Sequence, residues 1–190
     1  MIYYIIVFIS IALSFVLQEF VPVFEWAYGA RLMLVFTVFL CAAVTLPFPV
    51  MLLLAVFTGF IWDARYHVPL GDAGELSFGL TIFILGLLGL FIQGVRPLFS
   101  RGRWEVPVFM VGTMIMVGML IQFLLISFHR GGVEFLPEVW FKILMTSLFS
   151  MLIAPIVLLL LSRLAKKTGF RIRLEGITRN LDHYGDAFSA

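Results

Sequence analysis

Charge is what this sequence has least of. Only 13% of its 190 residues are Asp, Glu, Lys or Arg, against roughly 25% in an ordinary soluble domain. That excludes a disordered chain, which needs high charge and low hydrophobicity. Cysteine is nearly absent: Cys41 stands alone and cannot form an internal disulfide. The three histidines, His67, His129 and His183, lie far apart, with no HxxxH or CxxC spacing for a metal. There is no Walker lysine motif and no GxSxG elbow. The net charge of +2 is too small to point to nucleic acid. The opening run 2–17 has no basic segment before it and no small-x-small cleavage site after it, so it reads as a retained first span and not as a signal peptide.

What is present is apolar mass. Hydrophobic residues make up 62% of the chain, with 21 Phe against five Tyr and four Trp. A soluble domain of this size exposes too much surface to hide so much apolar material. The remaining class is an all-α, polytopic membrane protein.

A span needs about 20 apolar residues, because the hydrocarbon core is roughly 30 Å thick and a helical residue rises about 1.5 Å. The first lies at 2–18, ending on Gln18 and Glu19. The stretch from Leu32 to Trp62 carries no charge, and as one helix would measure roughly 46 Å, too long for a bilayer. Pro47 and Pro49 interrupt it, since each removes a backbone donor and restricts the residue before it. It therefore divides into a hairpin of 32–46 and 48–62, both short enough to call for thinning, tilt or burial in a bundle. Further spans follow at 76–93, 106–128 and 139–161, giving six. Pro155 inside the last predicts a kink. The domain organisation is a membrane unit over 1–162 and a basic tail over 163–190.

Orientation is read from Lys and Arg in short loops. Arg96, Arg101 and Arg103 lie in the 93–106 loop; Arg163, Lys166, Lys167, Arg171, Arg173 and Arg179 lie in the tail. These are nine of the thirteen basic residues, and Arg96, Arg101, Arg103, Lys166, Lys167, Arg171 and Arg173 form the basic membrane-surface set. The opposite loops hold Arg31, Arg65 and Arg130 among Glu19, Glu25, Asp63, Asp72, Glu75, Glu134 and Glu138. Six spans with both termini in the cytoplasm fit this split. A single long helix over 32–62 would move the N-terminus outside, and the two prolines argue against it.

The densest local signal is the end of the third span and its exit loop, from Gly59 through Asp63 to Pro69 and Gly71. Gly59 and Asp63 are four apart, hence on one helix face, and a glycine there lets another helix approach. Asp63 near a helix C-terminus opposes the macrodipole and should seek a compensating partner, with Arg65 or Arg31 in reach. The segment reads either as a partner-binding or ligand-binding region or as a helix-ending turn with a solvated aspartate. Gly79, Gly86 and Gln93 recur every seven residues, a small and partly polar stripe suited to packing in the bundle. Gln122 is a lone intramembrane amide that a neighbouring helix should satisfy. Lys142, one turn into the last span, can snorkel to the outer interface. Ser147 and Ser150 read as small packing residues bonding back to their own helix. In the tail, Phe170, Leu174, Ile177, Leu181 and Tyr184 recur at helical intervals between arginines, fitting a basic amphipathic helix on the anionic leaflet or against a cytosolic partner; a simple positive tail is the alternative.

The whole arrangement resembles the MreD family of bacterial rod shape-determining membrane proteins. The resemblance is carried by Thr58-Gly59-Phe60-Ile61-Trp62-Asp63, the turn Pro69-Leu70-Gly71, the glycine-bearing span with Gly79 and Gly86, and Ala154-Pro155-Ile156 leading to Leu161-Ser162-Arg163. It covers about residues 1–167. The exit loop departs from the family pattern in its extra charge, and the tail is longer than usual. The resemblance implies a fold similar to the substrate-binding subunits of energy-coupling-factor transporters. It also implies a non-enzymatic scaffold without cofactors, in the bacterial inner membrane. Its implied partners are an MreC-like single-span protein, the elongation glycosyltransferase and transpeptidase, and indirectly the actin-like MreB. Gly59, Asp63, Pro69, Gly71, Gly79 and Gly86 are the expected partner-binding residues. Two other functions stand beside it: a subunit binding a small solute, for which only Gln93, Gln122, Lys142 and a few hydroxyls are available, and an enzyme on a lipid-linked substrate using Asp63, His67, Asp72 and Glu75.

Overall fold

The computed structural model describes residues 2–66, 79–99, 105–129 and 136–170. They form six α-helices: α1 (Ile2–Phe20), α2 (Leu34–Thr45), α3 (Phe48–Arg65), α4 (Leu80–Phe99), α5 (Glu105–His129) and α6 (Pro137–Lys167), with a single 3-10 turn at Glu25–Ala27. The fold is all-helical. The helices α1, α3, α5 and α6 are long and apolar enough to cross a membrane, while α2 and the apolar part of α4 (Leu80–Val95) are shorter. Several apolar helices of this kind are compatible with a multi-pass membrane protein.

The break between α2 and α3 follows from the two prolines. α2 stops at Thr45, Leu46 and Pro47 are extended, and Pro49 sits in the first turn of α3, where its missing N–H costs nothing. Consecutive helices run in alternating directions. Tyr3 of α1 meets Thr45 at the end of α2, Gln18 meets the start of α2, Asp63 meets Gly79 before α4, and Gln93 meets Leu46. Tyr3 also stacks on Phe170 at 4.5 Å between ring centroids, which brings the start of α1 and the end of α6 to the same end of the bundle. Gly169, at φ 64°, makes the left-handed turn that returns Phe170 to this place; its N–H bonds Lys166 O and that of Phe170 bonds Ala165 O.

The centre of the bundle is α2. It touches all five other helices, and every residue from Val35 to Leu46 except Val38 is buried. A helix that is apolar all round belongs in an interior. At 12 residues α2 is about 18 Å long, and the terminal backbone groups, part-buried against its neighbours, are not all met by other backbone groups. Side chains take their place. At one end the Gln18 amide donates to Leu32 O at 2.7 Å and accepts from Leu34 N–H at 2.7 Å. At the other, Gln93 Nε2 donates to both Ala43 O and Leu46 O at 2.7 Å. Thr45 Oγ1 bonds back to Ala42 O and pairs with the Tyr3 hydroxyl. The short helix is held at both ends by glutamines from flanking helices.

Several boundaries differ from the sequence reading. α3 runs to Arg65, so Asp63 and Arg65 are helical and not in an exit loop. α4 includes Arg96, expected in a loop. α6 continues through Pro155 to Lys167, carrying Arg163, Lys166 and Lys167 that were assigned to the tail. The apolar periodicity stops at Leu161, but Lys and Arg are good helix formers and suit a helix C-terminus. Ser147 bonds across to Gly112 O of α5 at 2.7 Å, tying the two longest helices together, whereas Ser150 does bond back, to Thr146 O at 2.8 Å.

Candidate functional site

The end of the bundle where α1 and α3 finish gathers most of the polar contacts between distant residues. Arg65 Nη2 lies 3.1 Å from Glu19 Oε1, with both side chains about half exposed (46% and 47%). The Tyr66 hydroxyl donates to the same carboxylate oxygen at 2.7 Å. Partial burial, and then the hydrogen bond to Glu19, hold the Tyr66 phenol above its ordinary value, so it remains a donor throughout the physiological range. Exposed ion pairs contribute little to stability. A carboxylate, a guanidinium and a phenol left at the surface in fixed geometry are better suited to recognition.

Asp63 lies one turn before this cluster's Tyr66 on α3, and its partner is not an arginine. Its Oδ2 accepts the Gly79 N–H at 2.8 Å. Gly79 precedes α4 at φ 102°, a conformation that favours glycine, and its carbonyl accepts the first bond of that helix, from Phe83 N–H. The carboxylate thus compensates its unfavourable place at the end of α3 by facing the positive end of α4. Arg65 is committed to Glu19. We expect Asp63→Ala to destabilise the bundle by about 1 kcal/mol, the usual cost of a lost cap; Asp63→Asn keeps an acceptor and should lose less. Thermal unfolding of the two variants side by side checks this.

The glycines separate into two kinds. A Cβ on Gly59 would lie 2.6 Å from the backbone N and Cα of Ile82, so Gly59 is where α3 and α4 touch. Gly89 similarly faces Met51, Gly112 faces Met151 at 3.0 Å, and Gly118 faces Leu88 at 3.0 Å. Gly86 meets nothing within 4 Å. The expected packing stripe of Gly79, Gly86 and Gln93 is therefore not a packing stripe: Gly79 makes a turn, Gly86 lies open, and Gln93 clamps α2. The contact glycines lie elsewhere, Gly59 on α3, Gly89 on α4 and Gly112 and Gly118 on α5, because close approach is set by helix crossing points and not by heptad spacing.

Beside the Glu19 cluster, the segment from Val21 to Met33 folds against α6. Phe24 and Trp26 pack on Phe149 at 5.0 and 5.7 Å, and Tyr28 stacks on Phe141 at 5.3 Å. Tyr28 adopts φ 56°, uncommon for a non-glycine residue, and the stack holds it there. Trp26 remains 72% exposed and Phe20, next to Glu19 in the chain, 80%, leaving an aromatic rim on this end of the bundle. Sequence reading singled out none of Gln18, Tyr28 or Tyr66. Gln18 registered only as the end of an apolar run, and the others carry no local signal.

The remaining expected residues are placed as follows. Lys142 is exposed near the start of α6, as snorkelling requires. Gln122 continues the buried stripe Val111, Ile115, Gly118 of α5, yet it is half-buried and has no hydrogen-bond partner among the described residues, contrary to expectation. Lys166 and Lys167 are exposed on the last turn of α6. Pro69, Gly71, Arg101, Arg103, Arg171 and Arg173, together with the tail periodicity beyond Phe170, lie outside the described residues. Among the described residues no three of His, Cys, Asp and Glu are grouped as a metal site. Comparison with protein-family models, with curated proteins and with solved structures finds no match for this chain.

Proposed function

We propose that this chain is a non-enzymatic, six-span membrane scaffold of the bacterial cell-elongation machinery, in the manner of MreD, and that it receives an MreC-like single-span protein on the face formed by Glu19, Arg65, Tyr66 and the aromatic rim. The observation that carries this reading is the division of labour among polar side chains. Gln18, Gln93, Asp63, Thr45 and Ser147 are spent on the chain's own backbone, while the ordered ion pair and its aromatic surround face outward. In this reading the shorter helices α2 and α4 count as spans two and four, because α2 is sheltered by its neighbours and not by its own length. The fold is then similar to the substrate-binding subunits of energy-coupling-factor transporters. The end bearing Lys166, Lys167 and Phe170 faces the cytoplasm with both termini, and the Glu19 cluster faces outward from the inner membrane. The elongation glycosyltransferase and transpeptidase join through the MreC-like partner, with MreB reached indirectly.

Depletion of the protein in a rod-shaped bacterium is expected to round the cells. Arg65→Glu should fail to restore rod shape while accumulating in the membrane at the wild-type level, since a half-exposed ion pair matters little to the fold. Full restoration of rod shape by Arg65→Glu would remove this face from the proposal. A second reading, the binding of a small solute, draws on one observation: the start of α2 lies against α1 and α6, where Gln18 and Ser150 meet its first N–H groups.

A further inference from the structure

The segment between α1 and α2 is bracketed in depth from two sides. α1 has 19 residues and is about 28 Å long, close to the roughly 30 Å of a hydrocarbon core. A chain that crosses a bilayer with α1 reaches the far boundary near Phe20. The residues that follow do not continue the helix. The Phe24 N–H bonds Ala30 O at 3.0 Å and the Gly29 N–H bonds Phe24 O at 3.1 Å, closing a small loop around the 3-10 turn Glu25–Ala27. The N–H groups of Val23, Glu25 and Trp26 have no partner among the described residues, and all three residues are exposed. Hydrocarbon does not tolerate irregular backbone of this kind facing lipid. The loop lies no deeper than the wet headgroup region.

The side chains set the limit on the other side. Val23, Trp26 and Tyr28 are large apolar or aromatic groups left exposed within six residues. They are not on a loose strand. Ala27 and Ala30 are buried beneath them, Phe24 and Trp26 pack on Phe149, and Tyr28 stacks on Phe141. The start of α6 continues the same level, with Trp140 and Phe141 exposed and Trp140 set 6.5 Å from Phe123 of α5. Trp and Tyr collect at membrane–water boundaries because an apolar ring there carries a polar N–H or O–H. The Trp26 indole N–H has no hydrogen-bond partner among the described residues, so it is open to a headgroup oxygen.

We infer that the loop between α1 and α2 is an interfacial platform, with Trp26 and Tyr28 resting in the headgroup region of the lipid bilayer on the α6 side of the bundle. Phospholipid covers this part of the surface. Phe20, beside Glu19, stays with the partner face. Because Glu19 closes α1 just before the loop, the platform also fixes the Glu19–Arg65–Tyr66 cluster at headgroup depth. This rests only on the membrane-spanning part of the reading above and holds whatever binds at Glu19 and Arg65.

The test uses the full-length chain in phosphatidylcholine vesicles, as wild type and as Trp26→Phe. The difference between their tryptophan emission isolates Trp26 and leaves the packed tryptophans in place. Three quenchers are compared: phosphatidylcholine brominated near the headgroup, phosphatidylcholine brominated near the ends of its acyl chains, and aqueous iodide. The Trp26 emission is expected to fall most with the bromines near the headgroup. Strongest quenching by iodide would place Trp26 in water, and strongest quenching by the deep bromines would place it in hydrocarbon. No quenching by any of the three would mean that protein covers it, a second copy included. Each of these results overturns the platform. The emission left in Trp26→Phe is the insertion control: it falls with brominated lipid if the bundle lies in the bilayer, so a failure of the membrane reading is seen apart from a failure of the platform.

Discussion

Replacing Gln93 by leucine is expected to cost the bundle about 2–3 kcal/mol, because it removes two hydrogen bonds to carbonyls of buried residues at once. The side chain keeps its bulk, so the loss isolates the hydrogen bonds. Ala43 O and Leu46 O both accept from Gln93 Nε2, and Ala43 and Leu46 are fully buried. Gln18→Leu should behave alike at the other end, where Leu32 O and Leu34 N–H lose their partner. The two sites lie at opposite ends of α2 and share no partner, so the double variant should be close to additive. Unfolding in detergent with a tryptophan signal reads all three. A drop of Tm in both single variants matches the clamp; wild-type Tm in either would mean that the end of α2 is satisfied some other way.

The second large effect is expected at Gly59. A single methyl there would meet the α4 backbone at 2.6 Å, and backbone cannot rotate aside as a side chain can. Gly59→Ala should therefore push α3 from α4 and lose about 3 kcal/mol, the upper end of ordinary overpacking. Gly86→Ala is the matched control. It is on the same helix pair, its Cβ would meet nothing, and alanine favours helix over glycine by roughly 1 kcal/mol. Its Tm should hold or rise. This contrast also changes what the glycines say about partners. Gly59 is used inside the chain, so a loss of association in a Gly59 variant would report unfolding, whereas Gly86 remains open to a helix from outside.

The features legible in the sequence were those with local causes. Pro47 and Pro49 divide a stretch too long for one span, and the chain breaks there. The macrodipole at the end of α3 meant that Asp63 needed compensation, and it has it. The identity of the compensating group was not legible, because Gly79 reaches Asp63 through the folding of α4 and not through sequence proximity, while the nearby Arg65 is drawn to Glu19 of α1. The depth of α2 was only half legible: a half-hairpin too short for a bilayer called for thinning, tilt or burial, but the glutamines that make burial tolerable sit 16 and 48 residues from its nearest ends in the chain's order of Gln18 to Leu34 and Thr45 to Gln93. Gln122 shows the converse. Its position on the inner stripe of α5, one turn past Gly118 where α5 meets Leu88, predicted a partner, but the amide has none among the described residues.

The central claim is that the outward face around Glu19, Arg65 and Tyr66 holds a single-span partner, while the inward polar groups hold the fold. Affinity purification of the tagged chain co-expressed with an MreC-like protein, in wild-type and Arg65→Glu forms, tests it most directly. The account predicts that the wild type carries the partner through size-exclusion chromatography at a fixed ratio, and that Arg65→Glu elutes folded and without it. Equal recovery of the partner with both forms, or elution of the wild type alone, would contradict it.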